Sequence, residues 1–396
     1  MGLWLIGARG AVATCVAYGL AGLRAGLLEP VGLVTERAAL AGMDLTPTDN
    51  LVLGGHDVCR RSLTDSAGEL VKSGVLQEGL VTATSADASA FEARIRSGLL
   101  DGAEVGLADL DPESARRGGL APREQIAALV ADLEEFRAEC ELDRVVVLNL
   151  ASTEAFREPA AEWETLAEFE AALDAETAQP ASVIYAYAAL RAGCPHVNFT
   201  PSTGASIPAL RELARELSLP HCGSDGKTGE TLLKTVLAPL FVARNLRVLG
   251  WQGYNMLGNR DGEVLADPLH RESKLRSKGD SLRAILGDDT AHTHVAIDYF
   301  PSLRDWKTAW DYIHFEGFLG ARMSLQFTWT GSDSALAAPL AIDLARLADF
   351  AHEAGEVGEM PHTASFFKAP LAGGPQEFHA QYGLLLEYVE QHTRGA

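Results

Sequence analysis

The chain opens with LWLIGARGAVATC, a short apolar run broken by Gly7 and Gly10 and continued at once by an Ala-rich segment. A strand that meets a tight glycine turn and then a helix is the first unit of a dinucleotide-binding α/β fold. The helix N-terminus offers unpaired amides to a pyrophosphate. GARGAVA departs from GxGxxG, with Ala13 in the helix-packing place, so the turn alone also suits an unliganded α/β domain. A second strand is expected at VGLVTE, residues 31–36. Its last residue, Glu36, lies at about the distance from Gly10 at which a carboxylate accepts from the adenosine ribose hydroxyls and repels a 2′-phosphate. That favours NAD over NADP. NLVLGGHD, residues 50–57, is a third apolar run.

Further strands are read at VVVLNLAST and HVNFTPST, with the helix SVIYAYAALRAG between them. Residues 60–140 read as helices and loops. Strands alternating with helices predict a doubly wound, mainly parallel sheet whose ligand lies beyond the carboxyl ends of the strands. Those ends carry Gly7 to Gly10, Glu36, Ser152 with Thr153, and Thr200 to Thr203. After Gly223 a Gly-rich polar loop, GSDGKTGET, precedes an amphipathic helix, and its exposed amides suit either an anion or a simple helix cap. HVAIDYFPSLRDWKT and FLGARMSLQFTWT predict strands of a second sheet, and ALAAPLAIDLARLADFAHEAG a long helix. At 396 residues two domains are expected.

Charge narrows the partners. With 54 acidic and 33 basic residues the formal net charge is −21, which argues against a nucleic-acid backbone as ligand. Against that background Lys274 and Lys278 stand four apart in RESKLRSKGD, Lys307 lies in RDWKTAWD, and Lys368 follows two phenylalanines in SFFKAPL. Any one of them alone is read as a solvated surface lysine, although an ammonium in the apolar setting of Lys368 needs a partner. Five cysteines without a CxxC pair suit a reducing compartment, and the N-terminus lacks the basic region of a secretory signal, so a cytoplasmic protein without a membrane partner is expected.

Taken in order, NFTPSTGASIPAL, HCGSDGKTGETLLKTVLAP, NMLGNRDGEVL, ESKLRSKGD and SALAAPLAIDL resemble the myo-inositol-1-phosphate synthase family, most closely its shorter archaeal-type branch. The resemblance runs from LWLIGARGAV to SFFKAPL, nearly the whole chain. It implies a Rossmann-like sheet domain over residues 1–225, a smaller α+β catalytic and oligomerisation domain over 226–335, C-terminal helices over 336–396 that return to the first domain, and a homotetramer. The implied reaction has no net redox change. Glucose 6-phosphate is oxidised at carbon 5 at the expense of bound NAD, an enolate at carbon 6 closes onto the carbon 1 aldehyde, and the hydride is returned.

The resemblance maps Lys274, Lys278, Lys307 and Lys368 onto the catalytic lysines, and Asp225, Asp261 and Asp333 onto the active-site carboxylates. Lys274 with Asp225 is expected to handle the carbon 5 proton, Lys278 with Lys368 to hold the phosphate or aldol oxygen, and Lys307 to polarise the carbonyl. Gly7, Ala8, Arg9, Gly10, Ala11 and Val12 fall on the pyrophosphate turn, Glu36 on the ribose, Ser152 and Thr153 at the crevice, and Gly226 and Thr228 by the nicotinamide or substrate, with Asp333 beside them. Ser224 departs from the family, where many members have an acid. Some archaeal-type members depend on a divalent metal, which the three aspartates could help hold, though no spacing demands it. Two rival readings stand beside this one. One is cyclisation of another sugar phosphate, such as fructose 6-phosphate, to a five-membered cyclitol phosphate, with Trp251, Gln252, Gly253 and Trp306 as the discriminating wall; the other is a non-catalytic NAD sensor, which would need none of the lysines.

Overall fold

A computed structural model describes residues 1–100, 109–259, 262, 282–287 and 291–393. Seven parallel strands form the first sheet: β1 (Gly2–Ile6), β2 (Val52–Asp57), β3 (Ile95–Ser97), β4 (Val145–Asn149), β5 (His196–Asn198), β6 (Pro220–Gly223) and β11 (Gly358–Glu359), in the order β11-β6-β5-β4-β1-β2-β3. Alternate side chains of β1 explain why both faces are covered. Leu3 and Leu5 enter one apolar core and Trp4 and Ile6 the other, as a sheet buried on both faces requires. The first core is closed by α1 (Ala11–Arg24), α2 (Leu63–Lys72), α4 (Ser85–Glu92) and, from the other end of the chain, α11 (Asp333–Glu353) and α12 (Phe378–Thr393). The second is closed by α6 (Pro122–Glu139), α7 (Leu166–Asp174), α8 (Ala181–Arg191) and α9 (Pro208–Glu216). The short helix α3 (Glu78–Ala83) lies between α2 and α4 with Val81 against the first core, and α5 (Pro112–Gly118) precedes α6.

The strand order reverses at β1, which pairs with β4 on one side and β2 on the other. A crevice therefore opens beyond their carboxyl ends.

The expected second strand does not form. Residues 34–36 make a single 3-10 turn, because Asp343 of α11 takes the hydrogen bonds that a sheet neighbour would supply. Its carboxylate accepts from the Val34 amide at 2.7 Å, the Thr35 amide at 3.1 Å and the Thr35 hydroxyl at 2.5 Å. The strand beside β1 is instead β2, the GGHD run.

The second sheet is β7 (Arg247–Leu257), β8 (His292–Tyr299), β9 (Trp306–Glu316) and β10 (Arg322–Ser332), in the order β10-β9-β7-β8, with β7 and β8 parallel and the remaining pairs antiparallel. On β9, Ala309, Asp311 and Ile313 are fully buried while Trp306, Trp310 and Tyr312 are exposed, the alternation of a half-covered sheet. α10 (Glu230–Ala243) covers the inner face through Ala238 and Phe241. Among the described residues no helix is long and apolar enough to cross a membrane.

Candidate active site

A cleft of about 650 Å³ lies between the carboxyl ends of the first sheet and the inner edge of the second, within the size range of small-molecule sites. Its cofactor-shaped end begins at Gly7. With φ at +83°, and with a Cβ there falling 2.9 Å from the Ala151 Cα, only glycine fits the turn. α1 starts at Ala11 without an acidic residue in its first turn, so its unpaired amides face the cleft with the positive end of the helix dipole. Gly7, Arg9, Gly10, Ala11, Val12, Ser152 and Thr153 line the cleft.

Two expectations on this side are corrected. Ala8 is fully buried, with its amide on the His56 carbonyl, and does not line the cleft. The Arg9 guanidinium is paired with Glu92, at 2.7 and 2.9 Å. Glu36 stands outside the cleft, paired with Arg346 at 2.6 Å, because the turn that carries it is docked on α11. The carboxylate at the end of the strand beside β1 is Asp57, which lines the cleft and accepts from the Arg9 amide at 2.7 Å and the Cys59 amide at 2.8 Å. Burial pushes its carboxyl above the ordinary range, partly offset by those two amides. The signal was in the sequence: GGHD is an apolar run ending on an acid, but residues 31–50, which lie between α1 and β2, set it past the usual spacing.

At the other end two lysine–carboxylate pairs form. After β6 the chain runs as a ribbon against residues 366–369. The Ser224 amide meets the Ala369 carbonyl at 2.8 Å, the Lys368 amide the Asp225 carbonyl at 2.7 Å, and the Lys227 amide the Phe366 carbonyl at 2.8 Å. This ribbon sets the Lys368 ammonium 2.7 Å from the Asp225 carboxylate, with both side chains at most one-tenth exposed. Asp225 therefore pairs with Lys368, whereas Asp261, Lys274 and Lys278 lie outside the described residues. The second pair is Lys307 with Asp333 at 2.6 Å, joined by the Thr228 hydroxyl, which donates to the same carboxylate at 3.0 Å. Register makes it: β9 pairs with β10 so that Lys307 faces Gly331, two residues before Asp333 opens α11. Asp225, Gly226, Thr228, Lys307, Asp333 and Lys368 all line the one cleft.

Beneath this floor lies a buried network that sequence reasoning missed. Glu230, which lines the cleft, accepts from Lys234 at 2.5 Å and from Asn255 at 2.7 Å, and Lys234 also reaches Asp311 at 3.5 Å. Asp311 takes the Trp251 indole N–H at 2.7 Å, and burial pushes its carboxyl up to about 6. Trp251 is thus a core residue, and none of Trp251, Gln252, Gly253 or Trp306 lines the cleft. Lys227 also went unread. Its amine is buried against the Gln381 side-chain carbonyl of α12, and burial, together with the Lys368 charge, pushes it down to about 7.

An α/β sheet with a glycine turn at its switch point, sharing a cleft with two lysine–carboxylate pairs, has the build of a dinucleotide-binding enzyme. The family model described as myo-inositol-1-phosphate synthase, an NAD-binding family, matches residues 1–384, and the chain belongs to that family. Inositol-3-phosphate synthase 1 of Bacteroides thetaiotaomicron is 34% identical over 94% of this chain and 89% of its own length. The human inositol-3-phosphate synthase 1 is 32% identical, over 65% of this chain and 50% of its own length. Among solved structures, a myo-inositol-1-phosphate synthase-related protein from Thermotoga maritima matches with a TM-score of 0.78 and 25% identity over 98% of both chains. The inositol-3-phosphate synthase of Caenorhabditis elegans shares the fold, with a TM-score of 0.87 at 22% identity over 99% of this chain and 85% of that one. The chain is an enzyme of the inositol-3-phosphate synthase type, an isomerase.

Proposed function

We propose that this enzyme closes glucose 6-phosphate to an inositol phosphate, with NAD cycled and not consumed. The observation that carries the reading is the convergence of Lys368–Asp225 and Lys307–Asp333 on the cleft that also holds the glycine turn. The residues present suit a dinucleotide: the α1 amides and the turn at Gly7 would hold its pyrophosphate, and Asp57, not Glu36, its adenosine ribose. When bound, NAD supplies a reversible hydride acceptor.

The chain's own residues do the rest. The ring-closing sequence develops negative charge on a carbonyl oxygen, an enolate and an alkoxide. Ammonium groups already fixed by carboxylates stabilise such charge without reorganising. Lys307, anchored by Asp333 and Thr228, polarises the carbonyl. Lys368, anchored by Asp225, faces the phosphate or the aldol oxygen. The pairing of Asp225 with Lys368 moves that carboxylate from partner of Lys274 alone to anchor of the second described lysine. We assign Lys274, Lys278 and Asp261 to the same machinery on the family resemblance.

The division into residues 1–225, 226–335 and 336–396 is supported by the two sheets and by the packing of α11 and α12 on the first core. A homotetramer is supported by the aromatic outer face of the second sheet, where Tyr254 stacks on Trp310 beside Tyr312. Five free cysteines support a reducing, cytoplasmic setting. The test is incubation of the purified enzyme with NAD and either glucose 6-phosphate or fructose 6-phosphate, with and without a divalent cation, followed by phosphorus NMR. An inositol phosphate formed from glucose 6-phosphate without accumulation of NADH is expected; turnover of fructose 6-phosphate alone would overturn the reading.

A further inference from the structure

We propose that the turn between β8 and β9 is a latch that retains the dinucleotide between turnovers, by capping the carboxyl end of α2 with Arg304 and Trp306. The inference rests on the NAD reading above and adds to it a residue pair that holds the cleft shut.

α2 is one wall of the cleft: Ser66, Glu69, Leu70 and Lys72 line it. Its amino end is fixed to the glycine turn, because Glu92 accepts from the Leu63 amide at 2.6 Å while binding Arg9, and the Ser66 hydroxyl donates to the Arg9 carbonyl at 2.7 Å. Its carboxyl end is held from the other sheet. The Arg304 guanidinium donates to the Lys72 carbonyl at 2.6 Å, and the Trp306 indole N–H donates to the Ser73 carbonyl at 2.6 Å. The last carbonyls of a helix have no partner within it and carry the negative end of its dipole, so a guanidinium there is doubly favoured. Both halves of the contact belong to the cleft rim, since Lys72 and Ser73 line it from one side and Tyr299, Pro301 and Arg304 from the other. The wall of the cofactor end is thereby tied to the sheet that carries Lys307.

Two backbone features accompany this contact. Arg304 adopts φ of +56° with ψ of −121°, a conformation that glycine enters easily and a side chain only at a cost. The chain nevertheless carries arginine there, the residue whose side chain makes the contact. Opposite it, a Cβ at position 258 would fall 2.4 Å from the Arg304 amide nitrogen, so Gly258 lets the turn press against the end of β7. A rim contact of two hydrogen bonds can open without unfolding either sheet, and it suits a cofactor that the reaction regenerates in place.

The test is the rate of NADH release from the full-length enzyme, followed by loss of NADH emission on rapid dilution. Arg304→Ala with Trp306→Phe should speed release about tenfold, the fold-change equivalent to ~1.4 kcal/mol. Arg304→Lys, which keeps a cation at the helix end, should fall between that variant and the parent. Raising the salt should speed release from the parent but not from the double variant, because an exposed charged contact is screened. Release from the double variant within twofold of the parent overturns the latch alone. A parent enzyme that binds no NADH overturns both the latch and the NAD reading.

Discussion

Asp225→Asn tests the site at a buried charge pair. The change preserves shape and tolerates the left-handed backbone at this position, where φ is +61°, since asparagine enters that region readily. What it removes is the anion 2.7 Å from the Lys368 ammonium, in a pair whose side chains are 5% and 10% exposed. Breaking one partner of a buried pair costs about 3–5 kcal/mol, because the other charge is left uncompensated. The retained amide oxygen can still accept a hydrogen bond, which places the expected loss near 3 kcal/mol. The nearby Lys227 amine adds to it, since two basic groups would then share one pocket without their carboxylate. Lys368→Met should cost about the same for the opposite reason, since the buried carboxylate loses the ammonium 2.7 Å away. Combining the two removes both charges, so the double variant should lose about 2 kcal/mol less than the sum of the singles. Urea unfolding of the four proteins measures the cycle, and the product assay should show each single variant slowed by a factor of about 10² or more. Additive losses in the cycle, or a single-variant cost below about 0.5 kcal/mol, would mean that the pair behaves as a solvated surface bridge.

Three further outcomes follow from other parts of the structure. Asp57→Asn should weaken NAD binding, measured by calorimetry, by about tenfold, whereas Glu36→Gln should leave it within twofold; equal effects would restore Glu36 to the ribose site. Lys307→Met should lower kcat by about 10²–10⁴ while leaving NAD affinity near that of the parent, because its contacts are with Asp333 and Thr228 and not with the glycine turn. The third outcome concerns acid. His196 and His221 face each other in register across β5 and β6 with no ring nitrogen partnered among the described residues, and burial pushes them down to about 3 and about 4. Because the unfolded chain takes up these protons near pH 6.5 and the folded chain does not, stability is intact above that pH. It should fall by about 1.4 kcal/mol per pH unit for each histidine between roughly pH 6 and 4. Urea unfolding at pH 7 and 5 checks the slope, which His221→Gln should reduce by the share of one histidine, because burial also lowers His362 and His56 and they keep theirs.

What the sequence made legible was whatever is set locally. Strands at VVVLNLAST and HVNFTPST, the helix ended by Gly193 at φ +71°, and the glycine turn at Gly7 each follow from side-chain pattern and backbone freedom within a few residues. The failures share a different cause. VGLVTE has the composition of a strand, but its backbone bonds go to Asp343, more than 300 residues away, and no local pattern announces a side chain that replaces a sheet neighbour. With that segment outside the sheet, the strand beside β1 is GGHD, so the carboxylate at the cleft is Asp57 and not Glu36. The same distance hid the pairing of Asp225 with Lys368, which depends on a ribbon between residues 224–227 and 366–369. Asp225 in its glycine-rich loop and Lys368 behind two phenylalanines stand out because charges in such settings are expensive to bury, whereas Lys307 and Asp333 are reached through the family resemblance alone. Their partners were not readable, since a partner is fixed by topology. Glu230, Lys234 and Asp311 show the limit most clearly. Each reads as an ordinary surface charge in an amphipathic helix or an alternating strand, and only the packing of α10 across β7 and β9 turns the three into one buried network beneath the cleft.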